Sequence, residues 1–477
     1  MGLVSTYEYL ITAFSVIFFI GAFDDFLIDL AHFLFGLTPK RVAKETWNEW
    51  IGKDEKPITI MIPAWHEHDV LEAMVLTNLK RIKYDNYKWF VGVYPNDKKT
   101  LTIALNLQER FPDKVIVVIN DKPGPTTKAQ MINRIMETMR GAEEASDGQG
   151  WIPHFIGIHD AEDVIHPLSL KAINAQDDDL DFLQVPIFSL PVPHSSWVAG
   201  TYMDEFADLH LKEIPVRQRL RMPIPSAGVG TFFSKSIMDT LGNRFGYWLD
   251  DGNLTEDYEI SMRIARLGGK QQFLFLKDPD GKVVSTREYF PNSFATSVRQ
   301  KTRWTTGIGL QTMMKWGSFA SLKQNFTFKN VMGKYASWRD QKALWANPLI
   351  YLAWGILFAS IVYNKFEIVA ISELNFPPVI EYLMMVNLFF FVFRILQRMR
   401  FSTALYGFGH GLLSFPRLFL GSVINANAAL KASFNFNKAP KVNNQKKVEW
   451  DKTQHYFPTE ETLNKHLGGT HEVQVTH

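Results

Sequence analysis

The sequence contains no cysteine, which excludes disulfide bonds, thiolate catalysis and cysteine-ligated zinc. It also lacks an excess of either charge, because 51 lysines and arginines face 49 aspartates and glutamates in 477 residues. A chain this close to neutrality gives no reason to expect a nucleic-acid partner. Its length is enough for one large domain and further segments.

Long hydrophobic runs are present, and the first lies near the N-terminus. Residues 7–23 are almost continuously apolar, without a preceding basic stretch or a small-residue cleavage site. This pattern predicts a retained membrane anchor rather than a signal peptide. The following residues 24–37 keep an apolar face but carry Asp24, Asp25 and Asp29, which predicts an interfacial helix rather than a second span.

Further hydrophobic runs lie toward the C-terminus. Residues 343–363 and 379–396 are each long enough to cross a bilayer. Residues 402–424 contain Pro416, Arg417 and several glycines, and we expect them to lie on the membrane or re-enter it. The alternative is a soluble protein with buried helices, which such clustered hydropathy disfavours.

Basic residues follow the first and last of the firm hydrophobic runs. Lys40 and Arg41 follow the N-terminal anchor, and Arg394, Arg398 and Arg400 follow the last span. The positive-inside rule then places the polar middle of the chain and its C-terminal tail in the cytoplasm.

The middle of the chain alternates between β-rich runs and helical stretches. Strands at these spacings, with helices between them, predict right-handed βαβ units and a mostly parallel sheet. In such a sheet the ligand binds beyond the carboxyl ends of the strands. The predicted strands are 57–65, 87–97, 113–120 and 153–163, and the helices between them are 70–82, 99–111 and 127–139.

The predicted organisation therefore has four parts. An N-terminal anchor with its interfacial helix covers residues 1–49, and a cytoplasmic α/β domain covers 50–325. A membrane region covers 326–430, with two firm spans and the interfacial or re-entrant segment. A cytoplasmic tail covers 431–477.

Four polar clusters fall where such a domain binds ligands. Carboxylates one residue apart at a strand end can hold Mg²⁺ together with substrate phosphates, and an arginine can bind a diphosphate. A tryptophan offers a flat face to a sugar ring, and a separate carboxylate can accept a hydroxyl proton. The clusters are Asn96-Asp97, the run from His159 to Asp163, Thr255-Glu256-Asp257, and Gln300, Arg303 and Trp304 on one helical face.

Plainer explanations exist for each cluster taken alone. Glu256 and Asp257 could simply complement a helix N-terminus capped by Thr255. The acidic run after the fourth strand could be a solvated loop, and a His/Asp metallohydrolase is disfavoured because the histidines lack a ligand spacing. Gly228 and Gly230 alone indicate only a tight turn.

The ordered set Asp97, Asp160-x-Glu162, Thr255-Glu256-Asp257 and Gln300-x-x-Arg303-Trp304 resembles the D, DxD, TED and QxxRW motifs of processive family 2 glycosyltransferases. The stretches "HDAEDVIHP", "PSAGVG", "NLTEDYE" and "WDKTQHYFP" (450–458) are similar to those of the bacterial bacteriophage-adsorption (NfrB-like) inner-membrane glycosyltransferases. The resemblance covers nearly the whole chain.

That resemblance implies a GT-A catalytic fold, inverting chemistry, a UDP- or GDP-linked sugar donor and Mg²⁺ or Mn²⁺. It implies a membrane enzyme whose acceptor is a growing polysaccharide or a lipid-linked sugar. The few predicted spans suggest that a secretion pore would need a homo-oligomer or partner proteins. In the roles that the resemblance implies, Asp257 acts as the general base with support from Glu256, and Asp160 and Glu162 bind the metal. The residues implied to bind the donor are Glu67, Asp97, Lys128, Asp160 and Arg303. Those implied to bind the acceptor are Gln300, Trp304 and Gly230.

Two departures from the family pattern matter. The second acid of the DxD motif is Glu162, and Asp163 follows it directly, so either carboxylate could reach the metal. Longer relatives append a C-terminal domain that senses a cyclic dinucleotide, and we expect no such control here. Two other functions remain open: single-sugar transfer to a lipid carrier, and a non-catalytic nucleotide-sugar receptor or scaffold.

Overall fold

The computed structural model describes residues 3–316, 327–366, 374–438, 441–442, 445–446 and 456–467. Most of the tail stretch 450–458 thus lies outside the described residues. The chain forms two compact units. The helical unit comprises Met1–Leu37, Val192–Met222 and Pro291–Glu449, and the α/β unit comprises Thr38–Pro191, Pro223–Phe290 and Trp450–His477.

The described helices and strands are as follows, in chain order. The helices are α1 (Leu3–Leu34), α2 (Lys44–Gly52), α3 (Leu71–Arg81), α4 (Lys98–Arg110), α5 (Lys128–Ala145), α6 (Ser169–Asn174), α7 (Trp197–Asp208), α8 (Ile214–Arg219), α9 (Lys235–Phe245), α10 (Glu256–Arg266), α11 (Phe294–Thr305), α12 (Thr312–Trp316), α13 (Phe328–Ala346), α14 (Leu349–Lys365), α15 (Pro378–Tyr406), α16 (Phe408–Lys438) and α17 (Glu460–Leu467). π-Helical segments follow α7 and α11 at Leu209–Glu213 and Thr306–Gln311. The strands are β1 (Lys40–Arg41), β2 (Ile58–Pro63), β3 (Tyr87–Val93), β4 (Val115–Ile119), β5 (Phe155–Ile158), β6 (Phe182–Gln184), β7 (Ile187–Ser189), β8 (Thr231–Ser234), β9 (Gln271–Phe273), β10 (Leu276–Lys277), β11 (Thr286–Glu288), β12 (Lys441–Val442) and β13 (Gln445–Lys446).

The α/β unit is built on a mixed, mostly parallel sheet. Among the described residues its strand order is β4-β3-β2-β5-β8-β6-β9. Strands β2 to β5 pair in parallel, as predicted, whereas β8 runs antiparallel between β5 and β6. The four predicted strands and the three helices between them are confirmed. Strand β8 was not predicted.

The core of this unit explains why the inner strands are apolar on both faces. Trp89, Phe155 and Phe232 are fully buried on β3, β5 and β8, as expected for a sheet covered on both sides. Gly157 of β5 lies under the Phe232 ring, where a Cβ would approach to 2.5 Å. The parallel register of β2, β3 and β5 brings their carboxyl ends to one edge, from which the candidate ligand-binding loops leave.

The helical unit contains the hydrophobic runs. Three of its described helical stretches are long and apolar enough to cross a membrane: Val4–Leu34, Phe328–Lys365 and Pro378–Tyr406. The residues predicted as a separate interfacial helix after the anchor instead continue α1 without a break. The predicted segment 402–424 is not one element but is divided between two helices. Helix α15 ends at Tyr406, and α16 runs for 31 residues beyond Gly407.

Ion pairs explain how α1 keeps its acidic residues while remaining one helix. Asp24 and Asp25 pair with Arg339 and Lys342 of α13, and Asp25 also pairs with Arg394 of α15. Carboxylates in an apolar setting require such partners. Arg394 therefore neutralises Asp25 of its own unit. Because its charge is already paired, Arg394 says less about which side of the membrane this helix end faces.

Candidate active site

Asp97 and Glu67 lie in one cluster at the carboxyl edge of the sheet. The buried Asp97 caps α4: its Oδ1 accepts the Thr100 N–H at 3.4 Å, and its Oδ2 accepts the His66 N–H at 2.6 Å. The Thr100 hydroxyl accepts the Glu67 N–H at 3.1 Å. Burial raises the pKa of Asp97, but hydrogen bonds from Thr100 and His66 outweigh it and hold the pKa below its usual value. The carboxylate is therefore charged and fixed.

Asp160 and Lys128 form an ion pair just beyond β5. The Lys128 ammonium lies 2.5 Å from Asp160 Oδ1 and donates to the Gly228 carbonyl at 3.2 Å. Burial lowers the pKa of Lys128, but Asp160, Glu256 and Asp257 outweigh it and raise the pKa above its usual value. The structure thus pairs Lys128 with Asp160 and places Glu256 and Asp257 near enough for their charges to stabilise the ammonium.

Asp163 lies on the interior side of the acidic turn. Its Oδ2 accepts the Asp160 N–H at 3.1 Å and lies 2.7 Å from His159 Nδ1. Both Asp163 and His159 are essentially inaccessible to solvent, whereas the Asp160 side chain is 27% exposed. Asp163 therefore shapes the turn that presents Asp160.

Asn78 of α3 fixes the far side of the same turn. This fully buried side chain donates to the Asp163 carbonyl at 2.8 Å and accepts the Ile165 N–H at 2.9 Å. The sequence alone did not identify Asn78 as a site residue, because one asparagine inside an amphipathic helix is not part of any recognisable motif. Its role depends on a contact 85 residues away along the chain.

The start of α10 differs from the expected capped helix. Thr255 occupies the N-cap position but makes no capping side-chain bond among the described residues. Its N–H and hydroxyl instead donate to Asn253 Oδ1 at 3.0 and 3.4 Å. The expectation that Thr255 caps the helix is wrong, because Asn253 holds the turn. Glu256 is buried and Asp257 half-buried.

Gly228 lies directly against Asp257. A Cβ at Gly228 would come within 2.4 Å of Asp257 Oδ2, and its φ of +80° is a conformation that side chains disfavour. Gly230, the glycine predicted to face the acceptor, packs elsewhere, where a Cβ would meet Thr286 Oγ1 at 2.8 Å. Gly228, and not Gly230, is thus the glycine that contacts Asp257. The sequence alone did not distinguish the two glycines.

Gln184 of β6 holds the loop that carries Gly228. Its Oε1 accepts the Ala227 N–H at 2.9 Å, and its Nε2 donates to the Val229 carbonyl at 2.9 Å. The same Oε1 accepts the Thr231 hydroxyl at 2.8 Å. Through this buried amide, the sheet fixes the backbone on which Asp257 rests.

Gln300, Arg303 and Trp304 lie in the helical unit. All three are half-buried on α11, which confirms that they share a helix. The Trp304 ring lies 6.1 Å from Tyr202 and 6.2 Å from Phe206, both on α7. The Trp304 ring is therefore packed against two aromatic rings of α7.

The oxygen donors of the acidic turn fit a hard divalent cation. Asp160 already holds a cation, the Lys128 ammonium, at its carboxylate. Among the described residues, no group of three or more histidines, aspartates or glutamates is arranged to hold a metal ion. Asp160 and Glu162 would thus supply one or two ligands, as is usual when Mg²⁺ shares its shell with phosphates and water.

Comparison with known proteins now decides the family. Residues 56–307 match the family described as glycosyltransferase like family 2. The chain belongs to this glycosyltransferase family. The matched segment contains Asp97, Lys128, Asp160, Asp257 and the α11 motif, so family and local geometry concern the same residues.

Two curated relatives extend the match over most of the chain. Bacteriophage adsorption protein B of Escherichia coli (strain K12) is 33% identical over 475 residues. Bacteriophage N4 adsorption protein B of Escherichia coli O157:H7 has the same identity and coverage. Each alignment covers 93% of this chain, and the chain spans 61% of the length of these relatives. The predicted family resemblance is confirmed.

A solved structure shares the fold of this glycosyltransferase. It is the mannosyltransferase PcManGT from Pyrobaculum calidifontis in complex with GDP-Man and Mn²⁺. Its TM-score is 0.52 at 14% identity, covering 90% of this chain and 99% of that one. The predicted GT-A-like fold, with helices of membrane-spanning character on both sides of the catalytic segment, is confirmed.

Proposed function

We propose that this family 2 glycosyltransferase transfers a sugar, with inversion, from a nucleoside diphosphate donor to a growing polysaccharide or lipid-linked acceptor. One observation carries the proposal. The Lys128 ammonium pairs with Asp160 and donates to the carbonyl of Gly228, the glycine that lies directly against Asp257. Lys128 therefore connects the proposed diphosphate site at Asp160 with the proposed base, Asp257.

The donor binds at the carboxyl edge of the sheet. Asp97 and Glu67 contact the nucleotide, and the hydrogen bonds from Thr100 and His66 fix the Asp97 carboxylate before the donor arrives. Lys128 and Arg303 stabilise the negative charge that develops on the departing diphosphate. The mannosyltransferase of the same fold holds GDP-Man, which supports a nucleotide-linked sugar as donor.

Asp257 is the catalytic base. Its half-buried carboxylate accepts the proton of an acceptor hydroxyl while that oxygen bonds to the anomeric carbon. The bond from the anomeric carbon to the diphosphate oxygen breaks in the same displacement, and the diphosphate leaves with the electron pair. The buried Glu256 supports this step by balancing the charge of Lys128.

Asp160 and Glu162 are the residues that would hold Mg²⁺ or Mn²⁺. Asp163 is not assigned to the metal, because its carboxylate is engaged by the Asp160 amide and lies beside His159. When bound, a divalent cation neutralises charge on the diphosphate and so lowers the barrier to its departure. The Mn²⁺ in the mannosyltransferase complex supports this choice.

Gln300, Trp304 and Gly230 are the residues to which we assign acceptor binding. Trp304 offers a ring face to a sugar, and the half-buried Gln300 can hydrogen-bond a hydroxyl. Processive synthesis requires the product to advance by one sugar after each transfer, and a flat platform permits such sliding. Transfer of a single sugar to a lipid carrier remains the second candidate.

The enzyme works at the bacterial inner membrane with its catalytic domain in the cytoplasm. The three candidate spans support a multi-pass protein in contact with lipid. We retain the four predicted parts, residues 1–49, 50–325, 326–430 and 431–477, as a proposal for its organisation. Secretion of a polymer would need a homo-oligomer or partner proteins, because the three candidate spans found in the described part of the chain supply few helices for a channel.

A donor screen tests this function. Purified membranes containing the protein are incubated with UDP- and GDP-sugars and Mg²⁺ or Mn²⁺, and nucleoside diphosphate release is measured. We expect release with at least one donor, dependent on metal and absent from membranes carrying Asp160→Asn/Glu162→Gln. No release above the double variant would favour a receptor or scaffold, and the length of any product separates a polymer from single transfer.

A further inference from the structure

Lys301 lies within the QKTRW sequence but on the buried side of α11. Only 5% of its surface is exposed. Its ammonium donates to Glu205 Oε2 of α7 at 2.5 Å and to Asn425 Oδ1 of α16 at 2.9 Å. Three helices are therefore tied together at this one charge.

The Glu205 carboxylate is held at both oxygens. Asn425 Nδ2 donates to its Oε1 at 3.1 Å, and the Arg398 guanidinium lies 4.0 Å from the same atom. Burial raises the pKa of Glu205, but Lys301 and Arg398 outweigh it and leave the pKa below its usual value. Gly421 allows this close approach, since a Cβ there would lie 3.3 Å from Oε1.

The same ammonium leads to Trp304. The Lys301 Nζ atom lies 4.7 Å from the centre of the fully buried Tyr202 ring. The Tyr202 ring meets Trp304 edge-on, at 6.1 Å and 83°, and Phe206 contacts Trp304 at 6.2 Å. Glu205 thus fixes Lys301, Lys301 lies on Tyr202, and Tyr202 supports Trp304.

We propose that Glu205 is a positioning residue that sets the plane of Trp304 through Lys301 and Tyr202. The importance of that plane for sugar transfer rests on the proposed function. A buried ion pair is costly and often adds little stability compared with apolar packing. Its use here is geometric, because the pair fixes the buried side of α11 on which Lys301 lies, one turn from Trp304.

Fluorine NMR of the full chain in detergent tests the positioning directly. The protein is labelled with 5-fluorotryptophan, which reports on all 13 tryptophans, and the Trp304 signal is assigned by its loss in Trp304→Phe. We expect Glu205→Gln and, independently, Asn425→Leu to shift, split or broaden the Trp304 signal. An unchanged Trp304 signal in folded samples of both variants would overturn the proposal.

Asp204→Asn is the matched control. Asp204 neighbours Glu205 on α7 and is fully buried, and its carboxylate accepts hydrogen bonds from Arg417 of α16 at 2.8 Å and from the Ser402 hydroxyl of α15 rather than from Lys301. We expect the Trp304 signal of this variant to match that of the unaltered protein. An equal change of the Trp304 signal in Glu205→Gln and Asp204→Asn would mean that any loss of a buried carboxylate in α7 disturbs the helical unit. That result would also contradict the proposal.

Activity then separates this inference from the proposed function. With the donor found by the screen, Glu205→Gln should lower polymer or product formation by about tenfold or more, since small misplacements of a substrate platform are costly. Donor binding by the same variant should be unchanged. If the Trp304 signal shifts but neither the unaltered protein nor any variant shows activity, the positioning role of Glu205 is supported and the proposed function is contradicted.

Discussion

At the scale of single residues, Gly228 links backbone conformation to the proposed base. We expect Gly228→Ala to reduce turnover by about a hundredfold, because the new methyl group would displace the Asp257 carboxylate. A left-handed conformation also costs a non-glycine residue about 1–2 kcal/mol. Steady-state nucleoside diphosphate release and thermal unfolding, measured on the same preparation, separate the two effects.

Gly246→Ala supplies the control for Gly228→Ala. Gly246 has a φ of +74°, close to that of Gly228, but a Cβ there meets nothing within 4 Å. We expect a similar loss of stability and full turnover. Equal turnover in the two alanine variants would mean that the contact between Gly228 and Asp257 does not matter for activity.

At the residue level, the sequence could locate a motif at a strand end, but it could not show contacts between residues far apart in the chain. Asp97 and Asp160 could be chosen because the carboxyl ends of parallel strands meet at one edge, whereas Lys128 was chosen from the family resemblance. The roles of Asn253 and Gly228 could not, since both depend on how two loops pack. The sequence Thr-Glu-Asp looks like an ordinary capped helix start, yet the Thr255 N–H and hydroxyl donate to Asn253 Oδ1.

At the scale of elements, α3 supports the acidic turn through Asn78. We expect Asn78→Ala to raise the concentration of Mg²⁺ or Mn²⁺ needed for half-maximal activity by about tenfold, because the turn carrying Asp160 and Glu162 loses its anchor. The variant should also lose about 1–3 kcal/mol of stability, from the buried groups left unpaired. Metal titration of nucleoside diphosphate release measures the first effect.

Asn174→Ala is the comparison for the metal titration. Asn174 is equally buried, donates to the Asp54 carbonyl at 2.9 Å and accepts the Lys56 N–H at 3.2 Å, but serves a loop without candidate metal ligands. We expect a comparable loss of stability with an unchanged metal requirement. A shift of the same size in both variants would make the Asn78 effect one of general stability.

The elements also show what a local pattern can and cannot predict. The regular βαβ region from β2 to β5 was predicted because each element there carries its own periodicity. The antiparallel strand β8 was not, because its four residues acquire a strand identity only between β5 and β6. The continuity of α1 past Asp24 likewise depends on Arg339 and Lys342, which lie more than 300 residues away.

At the scale of the whole molecule, the lack of cysteine makes membrane topology directly measurable. A single cysteine placed at Gln149, on an exposed loop of the α/β unit, should react with a membrane-impermeant maleimide only after cells are permeabilised. One placed at Asn375, in the connection between α14 and α15, should react in intact cells. The reverse pattern would contradict the proposed cytoplasmic location of the catalytic domain.

The central claim is that Asp257 takes the proton of the acceptor in an inverting sugar transfer. The most direct measurement compares Asp257→Asn with the unaltered protein for donor binding by calorimetry and for nucleoside diphosphate release during transfer. We predict unchanged donor affinity and release lowered by at least about a hundredfold, the usual contribution of a general base. Release at the rate of the unaltered protein would contradict the account.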